Sequence, residues 1–257
     1  MTNCTIQTTS DYGAAREEGN KVMADIARDQ PHRGLFLCIE GGDGSGKSTQ
    51  LKLLASRIEQ TGLTLKHMQF PRYGQPSAEL VELYLHNEFG DATKLDPRLA
   101  SLSYAIDRLA ASPEITSALN AGTMVLTGRF TASNMAHQGA KILDHTKRVA
   151  FFTWLENLEH TIMNIPSPDY HFVLHLPAEI ALERVAGRDD GTETGKKVDG
   201  HETDLGYQQQ AEQTYLDLVA TFPDRFGLIE CMDSDRARSP QEIHEEIWTK
   251  VQGMFLL

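Results

Sequence analysis

Leu35-Phe36-Leu37-Cys38-Ile39-Glu40, followed by Gly41-Gly42-Asp43-Gly44-Ser45-Gly46-Lys47-Ser48, is the stretch that decides the fold. Its first part is a short apolar run bounded by Gly34 and Gly41, the pattern of a strand buried on both faces. Its second part fits G-x-x-x-x-G-K-[ST] at every fixed position. Directly afterwards Leu51, Leu54, Ala55 and Ile58 recur at helical spacing as one apolar stripe. Strand, glycine-rich loop and amphipathic helix, in that order, are what a phosphate-binding loop requires. The glycines let the backbone curl until its N–H groups point at phosphate oxygens, and a helix beginning near Lys47 adds the partial positive charge of its N-terminus. In that geometry Gly41, Gly42, Gly44, Ser45, Gly46 and Thr49 surround the ATP phosphates. Lys47 reaches the β- and γ-phosphates, and the Ser48 hydroxyl ligates Mg²⁺. Alone, the motif specifies a P-loop NTPase or kinase and says nothing of an acceptor.

Outward from this stretch, apolar runs recur at Thr64 to Phe70, Thr123 to Leu126, His171 to Leu176 and Gly227 to Cys231. Helical spacing fills the intervals, over Leu95 to Leu119, Val149 to Ile162, Ile180 to Val185, Tyr215 to Phe222 and Ile243 to Phe255. Strands alternating with helices predict parallel βαβ units with right-handed crossovers, hence a three-layer α/β fold. Residues 1–32 are polar and mixed in charge and read as a flexible extension; residues 33–257 read as one domain. The net charge of -12 argues against a general nucleic-acid binder, which needs a Lys/Arg surplus to neutralise phosphates. Three scattered cysteines, Cys4, Cys38 and Cys231, suggest neither a disulfide framework nor a zinc site. With no signal-peptide pattern and no apolar run of about 18 residues, the expectation is a cytoplasmic protein without a membrane partner.

Two of the other polar clusters, at Phe70 to Gly74 and at Arg129, sit at predicted strand ends, where α/β ligands bind; Tyr104 and Arg108 lie within a predicted helix. In Phe70-Pro71-Arg72-Tyr73-Gly74 the proline stops the ladder, so Arg72 and Tyr73 can hold an acceptor phosphate and Phe70 can offer a ring face; an ordinary strand exit is the alternative. Tyr104 and Arg108 are an i,i+4 pair that suits a flat nucleobase, although spacing alone favours a core tyrosine beside a solvated Asp107/Arg108 pair. Arg129 ends the third run, a natural place for a phosphate contact, with Asn134 and His137 about one turn apart behind it. Arg184 and Arg188 precede an aperiodic, Gly-rich segment that adds Lys196 and Lys197; it reads as a mobile basic loop able to close over ATP, or as a solvated patch. Asp199 and Glu202 can approach Mg²⁺ or the sugar, or cap the next helix. His171 and His175 share a strand face without a third ligand and read as structural.

Together these residues resemble the thymidylate kinase family from Gly34 to the C-terminus. Ile39-Glu40-Gly41 through Ser48 is similar to its P-loop, and Phe70 to Gly74, Asp107-Arg108 and Arg129-Phe130-x-x-Ser133-Asn134 match its acceptor motifs in order and spacing. The resemblance implies a five-stranded parallel sheet surrounded by helices, a flexible lid over about 184–203, a homodimer, and Mg²⁺-dependent transfer of the ATP γ-phosphoryl group to dTMP. It implies that Lys47, Arg129, Arg188 and Asp43 are catalytic and that Ser48, Asp43 and Glu202 serve the metal, with Asp43 near the deoxyribose 3′-OH. Phe70 and Tyr104 would flank thymine and Arg108 would donate to its carbonyl. Arg129 would grip the dTMP phosphate, Asn134 would contact the base, and His137 would crowd the 2′ position. Arg184 and Arg188 resemble lid arginines, which fits Gly44 standing where some relatives place an arginine. One departure is Gly128, where the family has an aspartate before the arginine. It motivates one alternative, a weak or silent nucleotide-binding relative; a kinase of another nucleoside monophosphate is a second.

Overall fold

A computed structural model describes residues 33–187 and 204–255. Five strands, β1 (Phe36–Gly41), β2 (Leu65–Gln69), β3 (Met124–Gly128), β4 (Tyr170–His175) and β5 (Phe226–Glu230), form a parallel sheet in the order β2-β3-β1-β4-β5. Each lies within a residue or two of a run expected from the sequence. Strand β1 is buried throughout because it is central, with Leu37 opposite Leu126 on one side and Tyr170 on the other. Edge strand β2 is only half-buried.

The helices are α1 (Lys47–Gln60), α2 (Glu79–Leu85), α3 (Pro97–Asn120), α4 (Thr131–Gly139), α5 (His145–Glu156), α6 (Ala178–Ala186), α7 (Leu205–Thr221) and α8 (Pro240–Met254). Alternate residues of β1 feed two cores. Leu37 and Ile39 pack with Leu51, Leu54 and Ile58 of α1 and with Ile247 and Trp248 of α8. Phe36 and Cys38 face the other way, with Ile115 of α3 and with Phe130. Beside that second layer, Met135 of α4, Phe152 of α5 and Leu218 of α7 close over Val173. Period-two burial on the strand and stripes on the helices produce the three layers.

Side chains at the helix starts satisfy orphan N–H groups and fix where the elements begin. Asp96 caps α3 with Pro97 in the first turn, Asp144 caps α5, and Ser239 with Glu242 forms a capping box on α8. Helix α7 starts ten residues before the stripe at Tyr215, because Asp204 caps it by accepting from the Tyr207 amide at 3.2 Å. Short α2 carried no periodic signal. Asp199 as a cap, the extension over 1–32, and Arg188, Lys196, Lys197 and Glu202 of the expected lid lie outside the described residues. Cys38 and Cys231 are buried. Among the described residues, no helix is long and apolar enough to cross a membrane.

Candidate active site

The parallel sheet aims its carboxyl ends at one edge, and the glycine-rich loop lies there between β1 and α1. Helix α1 starts with no side-chain cap, so its first N–H groups are left for an anion. Lys47 folds back over the loop, donating to the carbonyls of Gly41 at 3.0 Å and Gly42 at 2.6 Å. The Ser45 hydroxyl is buried with no hydrogen-bond partner among the described residues. Ser48 and Thr49 are exposed at the start of α1. On its outer side the loop meets α6. A β-carbon built on Gly44, whose φ is +79°, would lie 2.5 Å from the Ala181 carbonyl oxygen. The backbone of α6 therefore rests directly on the loop, with Arg184 in its last turn.

Beside the loop, a cleft of about 270 Å³ opens between β2, α3, α4 and α7. Its wall includes Phe70, Tyr73, Tyr84 and Tyr104, with Asp43 and Arg129 at the loop end and Asn134 and His137 along α4. The rings of Tyr84 and Tyr104 meet edge to face, 5.9 Å apart. Seven of the residues singled out from sequence thus converge on one cleft: Asp43, Phe70, Tyr73, Tyr104, Arg129, Asn134 and His137.

Arg129 is the electrostatic centre of the site. It follows β3 with φ 61°, a left-handed conformation uncommon for a side-chain-bearing residue. That turn swings its guanidinium across to the loop, where one nitrogen pairs with Asp43 Oδ1 and another donates to His137 Nε2 at 2.9 Å. Burial disfavours the Asp43 charge, but Arg129 and Lys47 outweigh it and hold the carboxyl well below its usual range. Burial, reinforced by Arg129, lowers the Lys47 ammonium from 10.5 to about 7. The site is thus built with cations held close together and only partly compensated, as an anionic ligand requires.

Two expected acceptor residues are engaged elsewhere. Arg72 turns back from the strand end, its Nε 3.0 Å from Asp107 Oδ1 and its Nη2 on the Ser77 hydroxyl and the Asp107 carbonyl. Arg108 is buried and forks onto Glu159 at 2.7 and 2.5 Å. Neither lines the cleft. The solvated Asp107/Arg108 pair that spacing favoured is also not what forms. Both side chains are buried, with separate partners, because α3 is covered on that side by Arg72 and by the π-helical turn Asn157–Ile162, which follows α5 and carries Glu159.

Several residues escaped the sequence reading. Glu40 is fully buried, accepting from the Phe130 amide at 2.9 Å and the Ser133 hydroxyl at 2.6 Å, and so ties the turn after β3 to β1. A carboxylate inside an apolar run was the signal for it. Tyr215 of α7 meets the Ser133 hydroxyl at 2.9 Å; burial, then Glu40, raise its pKa. Tyr84, Gln138, Tyr207 and Gln208 also line the cleft, with no spacing in the sequence to announce them. His171 stacks on Phe226 with centroids 4.4 Å apart, and His175 lies between Glu230 and Glu212 at 2.7 and 2.9 Å. Gly128 sits where its missing side chain would begin 2.5 Å from Leu51 Cδ1, so a core leucine fills that space.

Comparison with known proteins adds to this geometry. Residues 39–247 match the family model for thymidylate kinase. The thymidylate kinase of Mycobacterium tuberculosis (strain H37Rv) is 32% identical over 187 residues, covering 72% of this chain and 86% of its own. That of Afipia carboxidovorans is 33% identical over 227 residues, 88% of this chain and 92% of its own. That of Bradyrhizobium sp. (strain ORS 278) is 29% identical over 237 residues, 90% and 95% respectively.

Proposed function

The chain belongs to the thymidylate kinase family, and from that premise we propose that it transfers the γ-phosphoryl group of ATP to dTMP, giving ADP and dTDP. The observation that carries this reading is Arg129, clasped by Asp43 of the phosphate loop in a cleft that is also walled by aromatic rings. A nucleotide phosphate at Arg129 would face the γ-phosphate above Lys47, with its base among Phe70, Tyr84 and Tyr104. Asn134 supports a pyrimidine there. Its amide nitrogen donates to the Ser101 carbonyl, while its buried oxygen has no partner among the described residues and can accept from a ring N–H.

An oxygen of the dTMP phosphate attacks the γ-phosphorus while the bond to the bridging β,γ-oxygen breaks, and ADP leaves. The attacking oxygen is already anionic, so the protein's work is positioning and charge neutralisation. Lys47, Arg129 and Arg184 supply cations for that purpose, and the uncapped start of α1 supplies N–H donors. Mg²⁺, the ion that screens nucleotide phosphates, suits the hard oxygen donors present. The Asp43 carboxylate and the Ser48 hydroxyl, exposed at the start of α1, are such donors at the phosphate loop, so Asp43 and Ser48 would hold the ion. Arg188 and Glu202 belong to this reading but lie outside the described residues, as does the N-terminal extension. The silent-relative alternative is not favoured: Asp43 retains a carboxylate beside Arg129 although position 128 lacks one.

A cytoplasmic homodimer completes the proposal. Leu99, Ile106 and Leu109 of α3 are 58%, 38% and 40% exposed, an apolar stripe along one helix face that a second copy would cover. Light scattering on Ile106→Asp tests it: a monomer is expected, and an unchanged dimer would remove this face from consideration. The activity itself is tested by a coupled ADP-release assay with Mg²⁺ across dTMP, dUMP, dCMP, UMP, CMP and AMP. Turnover selective for dTMP is expected; selective turnover of another acceptor would sink the assignment.

A further inference from the structure

We infer that Tyr207, at the start of α7, is a positioning residue that sets the tautomer of His137 and thereby holds Arg129 in its working orientation. The hydrogen bonds at His137 leave one consistent assignment. A guanidinium only donates, so His137 Nε2, 2.9 Å from an Arg129 nitrogen, must be the acceptor and carry no proton. The imidazole proton therefore sits on Nδ1, which is 3.3 Å from the Tyr207 oxygen. That hydroxyl in turn donates to the His137 backbone carbonyl at 3.1 Å. The Tyr207 ring also stacks on the imidazole, with centroids 6.2 Å apart and planes 25° apart, which limits ring rotation. Read in order, the chain runs from Asp43 through Arg129 and His137 to Tyr207, linking the phosphate loop, the turn after β3, α4 and α7.

Among the described residues Arg129 has Asp43 as its only carboxylate partner, and that carboxylate also approaches Lys47 at 3.7 Å. The neutral Nε2 lone pair is the second anchor for the fork. Without Tyr207 as acceptor, the Nδ1–H tautomer loses this hydrogen bond, and the alternative tautomer would place an N–H against Arg129. The side chain that grips the acceptor phosphate would then be released from one of its two holds. Tyr207 touches neither reacting atom in this account. It acts through His137.

The inference rests on the kinase reading for its kinetic consequence, but its structural core is tested without turnover. Nitrogen-15 NMR of the histidines in the full-length nucleotide-free protein, with His137→Gln used to assign the signal, is expected to show His137 as the Nδ1–H tautomer. A wild-type His137 protonated at Nε2 overturns the inference whatever the enzyme catalyses. In Tyr207→Phe, which keeps the stacked ring, the Nδ1–H population is expected to fall. The KM for dTMP should rise about five-fold, the equivalent of one neutral hydrogen bond, with kcat and KM for ATP changed less than about two-fold. A Tyr207→Phe protein with wild-type tautomer and wild-type KM for dTMP also overturns it. Failure of the wild-type protein to phosphorylate dTMP would instead sink the kinase reading and leave the tautomer result standing.

Discussion

The contact between Gly44 and α6 makes a graded prediction possible within one loop. Gly42, Gly44 and Gly46 are close in sequence and carry the same chemistry, yet an added methyl meets three different environments. At Gly42 nothing lies within 4 Å. At Gly46 nothing lies within 4 Å either, but φ is +95°, so alanine is strained by about 1 kcal/mol. At Gly44 the φ of +79° is joined by contacts of 2.5 Å to the Ala181 oxygen and 3.2 Å to its carbonyl carbon and Cα. Those atoms are helix backbone and cannot rotate away, so α6 must retreat by roughly 1 Å, an overpacking cost of about 1–3 kcal/mol. Adding the strain gives about 3 kcal/mol for Gly44→Ala, or a drop in Tm of about 6–12 °C for a domain of this size. Gly46→Ala should lose about 2–4 °C, and Gly42→Ala about 1 °C or less. Thermal unfolding of the nucleotide-free proteins reads this order without interference from bound phosphates. The same retreat moves Arg184, so Gly44→Ala should also weaken catalysis by up to about a hundred-fold while leaving dTMP binding intact. Equal Tm values for Gly44→Ala and Gly46→Ala would refute the reasoning, because the contact with Ala181 would then cost nothing.

Three further outcomes follow from the site. Between about 7, the folded value for Lys47, and its ordinary 10.5, the unfolded chain holds a proton that the folded one lacks; the cost of burying this charge is therefore full below about 7 and is relieved as pH rises through that window. ATP phosphates restore the proton, so calorimetry at about pH 8 should show ATP binding taking up a proton, with an enthalpy that depends on the buffer; a buffer-independent enthalpy would contradict the lowered value. Gly128→Asp must displace Leu51 Cδ1, at a cost of about 1–3 kcal/mol. With Leu51→Val in the same protein the two changes should be non-additive by about 1–2 kcal/mol in a chemical-denaturation cycle, and strict additivity would show that they do not compete for space. Glu159→Ala strands the buried Arg108 charge and should cost about 3–5 kcal/mol in the same assay; a loss below about 1 kcal/mol would mean that Arg108 finds another partner.

The five strands were legible because four of them are covered on both faces, or nearly so, and read as continuous apolar runs; β2 was legible through its length and the proline that ends it. The phosphate loop was legible because its function depends on spacing along the chain. What depends on spacing across the chain was not. Arg129 meets Asp43 from 86 residues away, and Arg108 meets Glu159 from 51, with no local pattern to pair them. Arg72 and Arg108 were, like Arg129, basic residues in motifs that suited a nucleotide acceptor. Only packing decided which guanidinium faces the cleft and which two are held by Asp107 and Glu159. The Gly128 departure read as a missing carboxylate; in three dimensions it is equally a place that Leu51 has taken.

The sheet order has a consequence for the chain as it is made. Strand β1, which carries the phosphate loop, is translated first of the five but pairs with β4 along one entire edge, Leu37 with Tyr170 through Gly41 with Leu174. At ribosomal rates of about 5–20 residues per second, that edge waits roughly 6–26 seconds for its partner to be made. Until then a nascent chain presents an unpaired row of backbone groups flanked by Phe36, Leu37 and Ile39. Slow codons, a stall or a premature stop before Tyr170 would therefore yield fragments inclined to aggregate, and such fragments, more than the finished protein, are what chaperones and proteases would meet.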